Sequence, residues 1–477
     1  MEQIVLQPVT RIEGHAKVTI QLDDSGNVAD THVNVVELRG FEQFCIGRPV
    51  EELPRIVNRI CGVCPWAHHL ASSKACDSVF GVEIPPVAKK LRELAYMGHF
   101  IHSHMLHFYI LSGPDFVMGP SADYTVRNVI GIAQKAPDLA RKVLRVRYLG
   151  QMITQTLGGK AIHPDVSVPG GWSKPLMKGE LVKLQEMAKE CLEFTKFGID
   201  YAKKEIFPRY MDTIKTYAPI QTGFLGLVKD GVLDLYDGTL RMMAADGSYE
   251  EFAPENYLDH IAEHVEPWSY MKFPYHKNGG EFSMAVDHPV GIYRTNSLAR
   301  MNVCDRIATP LAQQELEEFR ASFGRPAQLT LLYHWARLIE MVYAAERANE
   351  LLMDPEITDL NTRISVTPRA GHGVGVVEAP RGTLIHDYET DEKGIVRNVN
   401  IVVGTTHNNA AINMSVKKAA QDLIKDGKYD QGLLNMVEMA IRAYDPCLSC
   451  ATHALDGHIP VRIDVFNADG EPLQTLV

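Results

Sequence analysis

Two short segments near opposite ends of the 477-residue chain constrain its fold more than any other feature: Cys61-Gly62-Val63-Cys64 and Cys447-Leu448-Ser449-Cys450. Residues three apart in a helical turn point the same way, so each Cys-x-x-Cys can offer two sulfurs to one ion, and a helix N-terminus favours the thiolate through its dipole. Pro65 and Pro446 both suit first-turn positions. If the four sulfurs share an ion, the two ends of the chain must fold against each other. Spacing alone leaves the ion open, because four thiolates suit structural zinc as well as iron or nickel. Zinc ribbons, however, usually keep their pairs close in sequence to staple a small local fold, and a chain this long does not need that staple.

The other four cysteines, Cys45, Cys76, Cys191 and Cys304, stand singly and read as buried hydrophobes. No disulfide framework is expected, since that belongs to small secreted domains. A 45% hydrophobic content supports a large core. Lys and Arg total 48 against 59 for Asp and Glu, a net charge of -11 with no long basic run, so nucleic acid is not an expected partner. The N-terminus lacks a secretory pattern and no apolar stretch is long enough to span a bilayer, which places the expected location in the cytoplasm.

Alternation of apolar and polar residues predicts an N-terminal hairpin, Ala16 to Leu22 and Val28 to Val36, turning at Asp23-Asp24-Ser25-Gly26-Asn27. From Pro86 to about Ser112 apolar residues occupy most faces of a long helix, as expected of a buried one. Further helices are predicted over Pro137 to Thr156, Lys178 to Ile206, Ala308 to Ser322, Gln328 to Met353, Asn413 to Asp426 and Gly432 to Arg442. Strands are predicted over Gly373 to Glu378, Thr383 to Glu389 and Ile395 to Val403. The expected fold class is α+β: a mostly helical core, a long-helix bundle, with N-terminal and peripheral β-sheets. The chain reads as one large unit, with a β region (1–49), a helical core (50–218), a β-rich insertion (219–297), a helical and β region closing the candidate metal site (298–453) and a tail (454–477).

Charged residues sit in similarly compact segments: Glu13 in Arg11-Ile12-Glu13-Gly14-His15, Glu42 in Arg39-Gly40-Phe41-Glu42, and Arg381 in Glu378-Ala379-Pro380-Arg381-Gly382. A structural zinc site would not require them. Together with His107-Phe108-Tyr109, Gly158-Gly159-Lys160, His163-Pro164 and Pro169-Gly170-Gly171, these segments resemble, in order and over essentially the whole chain, the large subunit of nickel-iron hydrogenases. The wording around Cys64-Pro65-Trp66-Ala67-His68-His69 and from Asp445 to His453 is similar to cytoplasmic hydrogenases of methanogens and other anaerobes that do not reduce deazaflavin and instead feed a heterodisulfide reductase. The stretch Gly404-Thr405-Thr406-His407-Asn408 departs from the Pro-x-Thr-Trp-Asn of membrane-linked enzymes.

The resemblance implies reversible, heterolytic cleavage of dihydrogen at a nickel held by four thiolates. Cys61 and Cys447 would be terminal, and Cys64 and Cys450 would bridge to an iron carrying carbon monoxide and cyanide. Pro380, Arg381 and Thr405 are expected to line that centre. Arg381 is assigned polarisation and positioning, because a guanidinium does not ordinarily give up its proton, with Asp115 and Asp445 holding it by charge-assisted bonds. Glu13 is the expected proton relay with Cys450 its donor, the alternative being a structural ion pair. His68, one turn beyond Cys64, is expected to tune a metal-bound sulfur unless it is a satisfied core histidine. Glu42 and His453 match ligands for a hard cation, usually magnesium.

The single cysteines have no spacing suited to an iron-sulfur cluster, so a partner must carry electrons. The resemblance implies a small subunit with iron-sulfur clusters, together with a flavin-containing heterodisulfide reductase and a further iron-sulfur subunit. It also implies a removable tail after His453, although Pro460 to Phe466 alternates like a strand. A hydrogen sensor on the same scaffold and a structural zinc protein are the rival readings.

Overall fold

A computed structural model describes residues 2–452 and, for the backbone alone, the paired strands Ile463–Phe466 and Pro472–Leu476. The first expected strand is Ala16–Leu22 and the second Val28–Val35, flanked by Gln3–Leu6 in a three-stranded antiparallel sheet. The helices Pro65–Phe80, Pro86–Met105, Pro137–Gly158, Lys178–Tyr201 and Leu332–Met353 build the interior. The segment predicted to end near Ser112 runs further: it winds as a π-helix over Leu106–Ser112 and continues as the α-helix Gly113–Val117. Such a widened turn is a common feature of functional regions. Helix Pro86–Met105 crosses Pro137–Gly158 where two glycines meet: a Cβ on Gly98 would lie 3.1 Å from the Gly150 carbonyl oxygen, and one on Gly150 would lie 2.9 Å from that of Gly98. Neither position has room for a side chain.

Residues 219–297 supply a sheet in which Gly223–Lys229, Thr239–Met243 and Tyr249–Phe252 pair antiparallel and Tyr293–Arg294 pairs parallel, together with a separate hairpin, Ile261–His264 with Phe273–His276. A third sheet follows the order Gly371–Ala379, Gly382–Thr390, Val396–Val402. Its first strand explains how the Cys64 region is fixed. Alternate residues Gly371, Gly373 and Gly375 face helix Pro65–Phe80, and a Cβ on Gly375 would lie 2.1 Å from the Ala71 carbonyl oxygen. The strand therefore lies directly on the helix backbone, while Val374 and Val376, pointing the other way, join Leu225, Leu240 and Ile385 in a smaller apolar core. Among the described residues no helix is long and apolar enough to cross a membrane.

Candidate metal centre

The two cysteine pairs meet although 386 positions separate each facing couple: Cys61 and Cys447 sulfurs lie 3.1 Å apart and Cys64 and Cys450 sulfurs 3.2 Å apart. Cys447 and Cys450 are 2.9 Å apart, and all four sulfurs fall within 4.8 Å of one another. Disulfide sulfurs would be about 2.05 Å apart, so these are free thiols or thiolates. Sulfurs about 2.3 Å from a shared ion stand roughly 3.3 to 3.8 Å apart, which the observed cluster approaches. All four side chains are buried.

Local structure delivers them unequally. Pro65 opens helix Pro65–Phe80 and Cys64 caps it, as the sequence suggested. The backbone amides of Val63 and Cys64 turn back to donate to the Cys61 sulfur at 3.2 and 3.4 Å, an arrangement that supports a thiolate. The second pair differs from expectation: Leu448–Cys450 is a short 3₁₀ turn capped by Cys447, and Pro446 precedes it instead of opening an α-helix. Asp445 sits at φ 51°, reversing the chain into this turn. Its geometry is instead held from outside, since the Thr405 hydroxyl oxygen accepts the Cys447 amide at 2.9 Å.

Hydrogen bonding to Cys447, then Cys450 and Cys64, holds the Cys61 thiol well below its usual pKa, whereas burial pushes Cys447 and Cys450 well above theirs. Four buried sulfurs packed together favour a bound cation, and their softness favours a transition ion over magnesium or calcium. The four single cysteines are buried, and burial raises each thiol, Cys45 and Cys191 to about 12. They are buried core thiols, as read from sequence, with Cys76 also donating to the Val50 carbonyl at 3.2 Å and Cys304 accepting from Arg320 at 3.6 Å.

Pro380 and Arg381 form the two-residue tip between the paired strands Gly371–Ala379 and Gly382–Thr390. Arg300 secures that tip by donating to the Pro380 carbonyl at 3.3 Å and the Ala379 carbonyl at 3.0 Å. Arg381 is 2% exposed; one terminal nitrogen lies 3.0 Å from Asp445 and the other donates to the Ser103 hydroxyl at 3.2 Å. Burial acts to lower its pKa, but Asp445 and then the cysteine sulfurs Cys447, Cys64 and Cys61 overcome that and keep it charged. Among the described residues its Nε has no hydrogen-bond partner, nor have Nε and Nη1 of buried Arg337. Unused donors in a buried site are costly unless a bound group satisfies them.

Asp445 holds Arg381 as expected, but Asp115 does not. Its carboxylate is engaged by Arg11 at 2.6 Å and Arg442 at 3.0 Å, with Asn435 also donating. Those two guanidinium groups, brought by the N-terminal segment and helix Gln431–Ala443, take the carboxylate that sequence order had assigned to Arg381. Ser103, an unremarkable hydroxyl in an apolar helix, takes the place next to Arg381 instead.

Glu13 pairs as an isolated bridge with Cys447, its carbonyl accepts the Leu448 amide at 3.1 Å, and its carboxylate accepts the Ser449 amide at 3.2 Å. It is half-buried, at the margin of a fully buried sulfur cluster. Arg39, present in a motif but not singled out, donates to the Ile60 carbonyl at 2.5 Å and the Ser449 carbonyl at 3.3 Å, so one guanidinium ties the backbones of both cysteine pairs together. His68 joins His386 at 3.1 Å, which continues to Tyr388 at 2.5 Å. The Glu42 carboxylate accepts the Ile401 amide at 2.7 Å. His453 and the proposed processing point lie outside the described residues. Two other buried histidines of the long helix have structural partners: His104 bonds Glu340, which also pairs with Arg300, and His107 bonds the Arg442 carbonyl.

With that geometry in hand, the profile of the nickel-dependent hydrogenases matches residues 39–142 and 241–453, and a HoxL-like profile matches residues 3–38. The chain belongs to the nickel-dependent hydrogenases. It is 50% identical over 426 residues to its counterpart in the F420-non-reducing hydrogenase vhu of Methanocaldococcus jannaschii, covering 89% of this chain and 100% of that one. It is 46% identical over 479 residues to its counterpart in the F420-non-reducing hydrogenase of Methanothermobacter thermautotrophicus, covering 99% of each. Its fold is similar to that of an NAD+-reducing [NiFe]-hydrogenase in the H2-reduced state, with TM-score 0.90, 42% identity and coverage of 95% and 100%. A Ni-Fe-Se hydrogenase of D. vulgaris Hildenborough follows with TM-score 0.77 and 26% identity, again covering 95% and 100%. The expected α+β large-subunit fold is thereby established, and this hydrogenase is an oxidoreductase whose four-cysteine cluster suits a nickel-iron centre. The zinc reading is set aside.

Proposed function

We propose that Cys61, Cys64, Cys447 and Cys450 hold a nickel-iron centre at which the chain cleaves and forms dihydrogen. The gathering of four buried sulfurs from the two ends of the chain carries this reading. When bound, such a centre supplies the soft electrophile needed to polarise a very weak acid and to take up its electrons. Cys61 with Cys447 and Cys64 with Cys450 face each other as two couples, and all four sulfurs would hold the centre between them. Carbon monoxide and cyanide on the iron would be accommodated beside Pro380, Arg381 and Thr405, where Arg381 Nε is an unused donor.

Cys450 takes the proton and Glu13 carries it outward, because Glu13 is the carboxylate hydrogen-bonded to the turn that bears Cys450 and reaches toward the surface. Arg381, fixed by Asp445 and Ser103, orients and polarises without titrating. Asp115 contributes indirectly by anchoring Arg442 and Arg11. His68 is positioned through His386. Glu42, with His453, would hold magnesium or a similar hard cation.

Electrons leave to a partner, since the remaining cysteines are single and buried. A small subunit with iron-sulfur clusters fits that need. Kinship to F420-non-reducing hydrogenases supports a flavin-containing heterodisulfide reductase and a further iron-sulfur subunit, in the cytoplasm. The purified complex should contain one nickel per chain, show infrared bands of iron-bound carbon monoxide and cyanide, and reduce an artificial dye with dihydrogen. Zinc alone would overturn the proposal, and intact bands with negligible dye reduction would favour a sensor.

A further inference from the structure

Residues 219–297 contain a second convergence of ligating side chains that hydrogen chemistry does not use. Glu250, His260 and His276 place one ligand atom each within 4.8 Å of the others. They come from three elements: strand Tyr249–Phe252, helix Tyr257–His260 and strand Phe273–His276. One carboxylate oxygen of Glu250 lies 3.0 Å from His260 Nδ1 and 2.7 Å from His276 Nε2. Donors about 2.1 Å from a tetrahedral zinc stand roughly 3.4 Å apart, so small side-chain adjustments would admit the ion.

The side chains are also preorganised. The His260 ring stacks on Phe252 with centroids 3.8 Å apart and planes 6° from parallel. The His276 backbone amide donates to the Gly291 carbonyl at 2.8 Å, and Ile261, next to His260, is its cross-strand partner. Each of the three side chains is partly shielded, with 20% to 38% exposure. Glu250 and His276 line a cavity of about 620 Å³ whose wall also includes Asp287 and His288, leaving access for water or a fourth protein donor.

We infer that Glu250, His260 and His276 form a second metal site, for a divalent transition ion of borderline softness, with zinc the foremost candidate. Two imidazoles and one carboxylate suit zinc, cobalt or nickel and offer too few oxygens for calcium. Its consequence is mechanical. Among the described residues the sheet carrying Glu250 and the hairpin carrying His276 share no backbone ladder, so the ion would join two separately hydrogen-bonded units. A carboxylate merely accepting bonds from two neutral imidazoles would need no ion, and the experiment separates the two.

The assembled, nickel-loaded hydrogenase is treated with a chelator that spares nickel and is then titrated with Zn2+ or Co2+ alone. Wild type should take up one additional equivalent, and cobalt should develop the visible absorption of a low-coordinate nitrogen-oxygen site. In the His260→Ala, His276→Ala double variant that equivalent should vanish, with nickel content and dye-linked turnover unchanged. Glu250→Gln keeps the shape and can still bond the imidazoles, so it serves if the double variant does not accumulate, and it should bind at least about tenfold more weakly. Equal affinity in wild type and Glu250→Gln, uptake retained by the double variant, or no uptake by wild type, overturns the assignment.

Discussion

Replacing Glu13 by Gln removes the acid while keeping the shape, and the structure sets the scale of both effects. The Glu13 side chain is half-buried and accepts the Ser449 amide at 3.2 Å, a bond the amide oxygen of Gln can retain. The structural cost should therefore stay near about 1 kcal/mol, the difference between a charged and a neutral acceptor. Loss of a positioned proton carrier typically lowers rate by about 10² to 10⁴, equivalent to roughly 2.7 to 5.4 kcal/mol of barrier. The second effect exceeds the first, so turnover should fall at least about a hundredfold while nickel content and infrared bands persist. The assay is dihydrogen oxidation with a dye beside hydrogen-deuterium exchange on the same sample. Glu13→Asp, which keeps the acid but withdraws it by one methylene, should fall between the two. If Glu13→Gln turned over within about threefold of wild type, the relay would have to run elsewhere.

Ser103→Ala should leave Arg381 paired to Asp445 but strip one bond from a buried cation, a loss of about 1.5 to 3 kcal/mol, and dye turnover should fall roughly tenfold or more at unchanged nickel content. Gly375→Ala puts a Cβ 2.1 Å from the Ala71 carbonyl oxygen, so helix Pro65–Phe80 must move; a destabilisation of about 1 to 3 kcal/mol with impaired nickel incorporation is expected, read by thermal unfolding and metal analysis. Glu340 is fully buried; burial alone would raise its pKa, but Arg300 and His104 hold it at about 2, against 4.5 ordinarily. Its contribution, about 3 kcal/mol, is present above the ordinary value and is lost as pH falls from 4.5 through about 2. Glu340→Gln should cost about 3 to 5 kcal/mol at neutral pH and flatten that part of the acid-stability curve, measured by denaturant unfolding at stepped pH.

Most secondary elements were legible because their periodicity is strong: the helices beginning at Pro86 and Lys178 start where apolar spacing placed them, although both run past their predicted ends at Ser112 and Ile206, and the three strands around Arg381 fall where expected. The π-helical stretch Leu106–Ser112, and the continuation of the helix beyond it to Val117, were not, since one added residue per turn leaves no compositional mark. Within the site, cysteine spacing and charged motifs pointed to Cys61, Cys64, Cys447, Cys450, Glu13, Arg381 and Asp445. Asp115 went to the wrong guanidinium because sequence gives charge and not which of several arginines is nearest; Arg11 and Arg442 reach it first. Ser103 carried no signal, being a small hydroxyl on an apolar helix, and Arg39 had one only as part of a motif whose acidic member drew attention. The Glu250, His260 and His276 convergence was invisible in one dimension, because the three belong to unlike elements and share no spacing.

The most direct test is X-ray absorption at the nickel edge of the intact complex. A nickel surrounded by sulfur, with that sulfur shell diminished and nickel lost when Cys61 or Cys447 becomes Ser, is the result the account predicts. Nickel bound mainly through nitrogen or oxygen, or retained undiminished after both cysteines are replaced, would contradict it.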